Sequence, residues 1–172
     1  SVEGKIPVET MIIKELIPFV DEHYRTVASR RGRALQGSSM GGFGALKLGF
    51  QYPELFGCVV SYAAALVPPE TVRDRMASPV PAEDPVTRRR VAWDRRMFDP
   101  KAETYRANHP VTLARQRADR IRGVLPIRVV VGDQDSLLAV NEEMHKLLDE
   151  LKIAHEYEVL EGVTHNVKVS MD

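Results

Sequence analysis

The chain has 172 residues, a length that fits one domain with its own hydrophobic core. Its 24 Lys and Arg residues balance its 24 Asp and Glu residues, so the formal net charge is zero. That balance gives no reason to expect nucleic acid or a membrane surface as a partner. No apolar run approaches the roughly 20 residues of a membrane span, and the single cysteine, Cys58, excludes an intrachain disulfide.

The first half of the sequence predicts a helix, a strand and a second helix. Apolar residues recur at helical spacing over residues 8–29, and Pro18 interrupts them, so we expect a kink or two short helices there. A short strand is predicted at 33–36, followed by a helix over 40–51. The chain starts at Ser1 and not at Met, so its start is not informative about the compartment, and export from a bacterial cell stays open.

Three more strands are predicted at 58–62, 127–131 and 156–160, with an amphipathic helix over 140–152. Strands that alternate with helices indicate the α/β class, with a mostly parallel sheet of about four strands. Residues 64–124 hold seven of the eleven prolines and several short helical stretches. We interpret them as a cap-like helical insertion, so that residues 1–172 form a single domain.

The segment Gln-Gly-Ser-Ser-Met-Gly-Gly at 36–42 contains G-x-S-x-G between a predicted strand and a predicted helix. This context is typical of a nucleophile elbow and predicts Ser39 as the nucleophile. Gly37 and Gly41 are expected to remove side chains that would collide in the turn. The backbone N–H of Met40, at the start of the helix, is the expected oxyanion donor. The alternatives are a Gly-rich turn without chemistry and Ser38, whose neighbours do not fit the elbow spacing.

A serine nucleophile needs a general base, and the base needs a carboxylate that orients it. In hydrolases with such an elbow the chain order is Ser, then the acid, then His. His165, in the loop after the last predicted strand, is the predicted base among five histidines. The loop after the third strand offers Asp133 and Asp135. Asp135 is the predicted acid, and Asp133 is the alternative.

At these residues the sequence resembles the putative-esterase family of α/β-hydrolases, which includes feruloyl esterases, S-formylglutathione hydrolases, enterochelin esterases and antigen 85-type mycolyltransferases. The resemblance is carried by residues 15–18, 33–45, 52–56, 132–135 and 162–166. It implies the α/β-hydrolase fold and a triad of Ser39, Asp135 and His165. It also implies hydrolysis of a feruloyl-type or related small acyl ester through an acyl-enzyme, without a cofactor or a metal.

The chain departs from the family pattern at its front. The family fold has about eight strands, of which about four precede the nucleophile, whereas here 38 mostly helical residues precede Ser39. We therefore expect the C-terminal half of the fold, with the N-terminal strands and the loop of the second oxyanion donor absent. The strand at 33–36 would then be an exposed edge, and we expect a second chain or a missing segment to cover it.

Two other functions stay open at this point. The first is a non-catalytic or incomplete α/β-hydrolase fragment, and the second is an acyltransferase that uses the same triad. The expected partner is a small-molecule or carbohydrate-linked ester, with neither nucleic acid nor a membrane involved.

Overall fold

The fold is built on a four-stranded parallel sheet, seen in a computed structural model that describes residues 8–77, 84–97 and 101–165. The strand order follows the chain order, and each neighbouring pair is parallel. The strands are β1 (Ala34–Ser38), β2 (Cys58–Tyr62), β3 (Ile127–Gly132) and β4 (Glu156–Leu160). The predicted parallel sheet is confirmed, and two of the four strands have the predicted bounds.

Helices connect these strands. Before β1 lie α1 (Val8–Thr10), a π-helical stretch (Met11–Leu16), α2 (Ile17–His23) and a 3-10 turn (Arg30–Gly32). Between the strands lie α3 (Met40–Gln51), α4 (Pro69–Ala77), α5 (Pro85–Met97), α6 (Glu103–Ala107), α7 (Pro110–Ile121) and α8 (Leu138–Glu150). Within the described ranges, every helix is too short or too polar to cross a bilayer.

The interruption predicted at Pro18 takes the form of the π-helical stretch just before it. Proline has no N–H, and its ring would clash with the carbonyl of Lys14 in a regular α-helix. The wider π-helical turn, in which the Ile17 N–H donates to the Ile12 carbonyl, relieves that clash. The helical stretch then ends at His23, six residues before the predicted end.

The core lies between one face of the sheet and helices α3, α7 and α8. Val59 of β2 and Val129 of β3 are fully buried there. They meet the largest buried side chains of the three helices: Leu46, Phe50, Ile121, Met144 and Leu148. Burial of one such side chain stabilises the fold by about 1.5–3 kcal/mol. Helices α6 and α7 of the segment 64–124 contribute to this same core, and a capping role for the segment stays a prediction.

His109 is buried at the start of α7. Its Nδ1 accepts a hydrogen bond from the Val111 N–H at 3.3 Å, which places the imidazole as a side-chain cap of the helix. The ring packs edge-on against Phe43 and Tyr105. Burial lowers the pKa of His109 from 6.5 to about 4, because the surroundings disfavour the charged ring.

We expect the free energy of unfolding to fall as the pH drops from 6.5 to about 4. In this window the unfolded chain takes up a proton on His109 that the folded chain does not, so the loss is of the order of 3 kcal/mol. Urea unfolding at pH 7 and pH 4 measures it. His109→Asn, whose side chain can also cap the helix, should lose most of this dependence. The exposed His23→Asn serves as control, and an unchanged pH dependence in His109→Asn would contradict the assignment.

Candidate active site

Ser39 lies in the turn between β1 and α3, at the carboxyl end of the sheet. Its backbone has φ 55° and ψ −117°, a conformation that costs about 1–3 kcal/mol in a non-glycine residue. Neighbouring backbone holds it in place. The Ser39 N–H donates to the Tyr62 carbonyl at 2.9 Å, and the Ser39 carbonyl accepts from Phe43 and Ala65 at 3.1 and 3.0 Å. The strained turn is thus fixed by the end of β2 and the first turn of α3.

Of the two elbow glycines, the structure requires only Gly37 on steric grounds. A Cβ at Gly37 would lie 2.2 Å from the Gly41 carbonyl oxygen, which no side chain tolerates. A Cβ at Gly41 would meet no described atom within 4 Å, so the predicted collision there is wrong. At Gly37 the backbone of β1 lies so close to the Gly41 backbone in the first turn of α3 that no room remains for a side chain.

Met40 is the first residue of α3, so its backbone N–H has no partner inside the helix. The helix N-terminus also carries a partial positive charge. Both features would favour a developing negative charge next to Ser39. The Met40 side chain is half-exposed and leaves this end of the helix open to solvent.

Asp135 lies in the turn after β3, and its carboxylate is almost fully buried. Oδ1 accepts a hydrogen bond from the Leu137 N–H at 2.8 Å, and Oδ2 lies 2.8 Å from His165 Nδ1. The alternative acid, Asp133, is exposed, and its backbone N–H donates to the Leu160 carbonyl. The structure therefore brings Asp135, and not Asp133, to the histidine.

His165 lies beyond β4 and joins the other two residues. Its Nδ1 donates to Asp135, since a carboxylate can only accept, and this leaves the lone pair of a neutral ring on Nε2. That Nε2 is 3.1 Å from Ser39 Oγ, within reach of the hydroxyl proton. The three predicted residues thus form one hydrogen-bonded row across the carboxyl ends of β1, β3 and β4. Asn166, the last residue of the motif, lies outside the described residues.

The loop that carries His165 packs directly against the backbone of β3 at Gly132. A Cβ at Gly132 would lie 1.9 Å from the Val163 carbonyl oxygen, which itself accepts a hydrogen bond from the Gln134 N–H at 3.1 Å. Gly132 therefore sets how deep this loop sits, and hence where the imidazole of His165 lies.

Gly132→Ala should push the loop outward and lower kcat/KM for an ester substrate by roughly 100-fold, since a displacement of about 1 Å in a catalytic group can cost that much. Gly44→Ala is the matched control, because a Cβ there meets no described atom within 4 Å. Steady-state hydrolysis of p-nitrophenyl acetate measures both variants. Full activity in Gly132→Ala would show that the loop position does not matter.

Asn141 is a residue that the sequence reasoning missed. It is fully buried in α8, where Oδ1 accepts from the Ala64 N–H at 3.1 Å. Its Nδ2 donates to the carbonyls of Ala64 and Leu137 at 3.0 and 2.8 Å. It therefore ties α8 to the segment after β2 whose Ala65 N–H binds Ser39. An asparagine between apolar positions of an amphipathic helix was the available signal.

In the part of the chain that the structure describes, one group of side chains could hold a metal ion. It comprises His145, Asp149 and His155. His155 precedes β4, so this group lies at the amino ends of the strands, away from Ser39. The row of Ser39, His165 and Asp135 has the arrangement of a nucleophile, a base and an orienting acid.

Comparisons with known proteins relate this chain to esterases. A family model described as "Putative esterase" matches residues 4–169. Over 55 residues the chain is 44% identical to an esterase of Mycobacterium tuberculosis (strain ATCC 25618 / H37Rv), a stretch that is 32% of this chain and 12% of that protein.

Two solved structures superpose on most of this chain. A ferulic acid esterase does so with a TM-score of 0.67 at 25% identity, over 92% of this chain and 54% of its own. The S-formylglutathione hydrolase of Staphylococcus aureus gives a TM-score of 0.67 at 15% identity, over 98% of this chain and 57% of its own. The fold is therefore a partial α/β-hydrolase fold, and the chain spans just over half the length of these structures.

Proposed function

The chain belongs to the "Putative esterase" family, whose model spans nearly all of it, and we propose that it is a serine-dependent carboxylic-ester hydrolase that works through an acyl-enzyme on Ser39. The observation that carries the proposal is the continuous hydrogen-bonded row. Ser39 Oγ lies 3.1 Å from His165 Nε2, and His165 Nδ1 lies 2.8 Å from Asp135 Oδ2.

In the proposed reaction His165 Nε2 takes the hydroxyl proton while Ser39 Oγ attacks the ester carbonyl carbon. The Met40 N–H donates to the oxygen that becomes negative. Collapse of the tetrahedral intermediate breaks the bond to the alcohol oxygen, and His165 returns the proton to that oxygen. Water then attacks the acyl-enzyme by the same route and releases the acid. Asp135 holds the ring tautomer and stabilises the imidazolium that forms in each half of the reaction.

For the substrate we propose a small acyl ester of the feruloyl type, free or linked to a carbohydrate. Support comes from the likeness to a ferulic acid esterase at 25% identity. Acyl transfer to an alcohol in place of water is the second candidate, because the same row of side chains would serve it.

A burst experiment with p-nitrophenyl acetate tests the proposal. If an acyl-enzyme forms faster than it is hydrolysed, p-nitrophenol appears in a burst of about one equivalent per chain and then at a slower rate. Added alcohols separate the two candidates, since transfer yields an acetyl ester of the alcohol and hydrolysis yields acetate. If no burst appears and turnover does not exceed the rate in buffer, the result favours a fragment without catalysis.

We also propose that a second chain or a further segment of polypeptide covers the free edge of β1. Within the described residues, β1 pairs only with β2. Support comes from the helical stretch before it, where Val8, Met11, Leu16 and Phe19 are about half-exposed and line one groove. Such a covering polypeptide could also supply a second oxyanion donor. Slow hydrogen exchange at the β1 amides that do not bond to β2 would support the cover, and rapid exchange at all of these free-edge amides would refute it.

A further inference from the structure

Three side chains with metal-binding atoms meet at the edge of the sheet opposite Ser39. His145 and Asp149 are one turn apart on α8, and His155 immediately precedes β4. One ligand atom from each residue can be chosen so that all three lie within 4.8 Å of one another. The proposed ester hydrolysis uses none of them.

The ring of His155 is held in one tautomer. Its Nδ1 lies 2.8 Å from the Ile153 carbonyl oxygen, which can only accept, so Nδ1 carries the hydrogen. In the neutral ring the lone pair is then on Nε2, and this atom lies 2.8 Å from His145 Nδ1. A backbone carbonyl on the far nitrogen is the usual support of a metal-binding histidine.

The ring of His145 faces two acceptors. It is stacked on Tyr157 with a centroid separation of 4.3 Å and an interplanar angle of 7°, so its plane is fixed. Its Nδ1 faces the lone pair of His155, and its Nε2 is 3.6 Å from Asp149 Oδ2. A neutral imidazole carries a hydrogen on only one of its two ring nitrogens, so the lone pair of the other nitrogen always faces another acceptor. A cation between the two rings removes this mismatch, because the proton then sits on Nε2 and faces Asp149.

We propose that His145 Nδ1 and His155 Nε2 bind a divalent transition metal such as Zn²⁺, with the Asp149 carboxylate, 3.6 Å from His145 Nε2, as the charge partner of the His145 Nε2–H. Imidazole nitrogen selects zinc, copper and nickel over magnesium and calcium. Two nitrogens bound to zinc at about 2.0–2.1 Å would be roughly 2.9–3.4 Å apart, for angles between a right angle and the tetrahedral value. The rings therefore need to separate by only a few tenths of an ångström.

Because His145 and Asp149 are partly exposed, water can complete the coordination. The metal would join the last turns of α8 to the start of β4. A ligand that binds only the folded chain raises the midpoint of unfolding, and at saturating metal we expect a rise of a few degrees.

Zinc binding is measured by calorimetric titration of the intact chain, and Co²⁺ absorption reports the ligand environment. We expect one Zn²⁺ per chain. His145→Gln and His155→Gln should each weaken binding by at least about tenfold, and Asp149→Asn by roughly tenfold. His23→Gln, at an exposed histidine of α2, is the matched control and should bind as the parent does. Circular dichroism without metal shows whether each variant is folded.

Zinc titration of the unmutated chain, followed by NMR of the histidine ring nitrogens, keeps the test decisive if a variant fails to fold. His145 Nδ1 and His155 Nε2 should then shift together. The proposal is overturned if the unmutated chain binds no zinc at submillimolar concentration, if His155→Gln binds it with unchanged affinity, or if only the ring of His165 shifts.

Discussion

Ser39→Ala is expected to lower kcat for p-nitrophenyl acetate by about a million-fold, the scale seen when the nucleophile of a complete triad is removed. The variant keeps the fold but has no oxygen that can form the acyl-enzyme. The adjacent Ser38→Ala is the matched control, because the Ser38 side chain is not part of the hydrogen-bonded row, and it should keep most of the activity.

The double variant Ser39→Ala with His165→Ala sharpens this test. Side chains that act as one unit are strongly non-additive, so the double variant should be about as slow as either single one. If the two losses multiplied instead, Ser39 and His165 would act independently, and the acyl-enzyme mechanism would be wrong.

Asp135→Asn is expected to lower kcat by about 10,000-fold. The amide can donate from its NH₂ group to His165 Nδ1. Nδ1 then has to carry the lone pair, so the ring hydrogen moves to Nε2. That tautomer cannot accept the Ser39 proton. Since the carboxylate is almost fully buried and also accepts the Leu137 N–H, its amide replacement keeps the volume while the hydrogen-bond polarity changes.

Asp133→Asn provides the control, because Asp133 is exposed two residues away in the same turn. It should change kcat less than twofold or so, as surface substitutions usually do. Equal losses in the two variants would mean that the turn as a whole, and not the carboxylate of Asp135, is what His165 needs.

The sheet could be predicted because its strands carry strong local signals. β2 is a mostly apolar run and β4 alternates polar and apolar residues, and the predicted bounds of both match the structure. The π-helical stretch before Pro18 could not be predicted. The sequence shows that the Pro18 ring would clash with the Lys14 carbonyl, but not which local change of the helix relieves that clash. The alternation of helices and strands then placed Ser39, Asp135 and His165 at the same edge of the sheet.

The candidate site was predictable where chemistry and chain order point to one residue. The roles of Gly132 and Asn141 were not, because both depend on which distant backbone atoms come close. The Gly132 contact is with a loop 31 residues later, and the Asn141 contact is with a segment 77 residues earlier. Local patterns contain no information on such approaches, and the steric role assigned to Gly41 was wrong for the same reason.

The central claim is that Ser39 is a nucleophile activated by His165. A fluorophosphonate probe tests it directly, because such probes react rapidly only with a serine that has a working base. Peptide mass spectrometry of the labelled chain should find one adduct, on Ser39, that persists in Ser38→Ala and is lost in His165→Ala. Labelling at Ser38, equal labelling without His165, or no labelling of the folded chain would contradict the account.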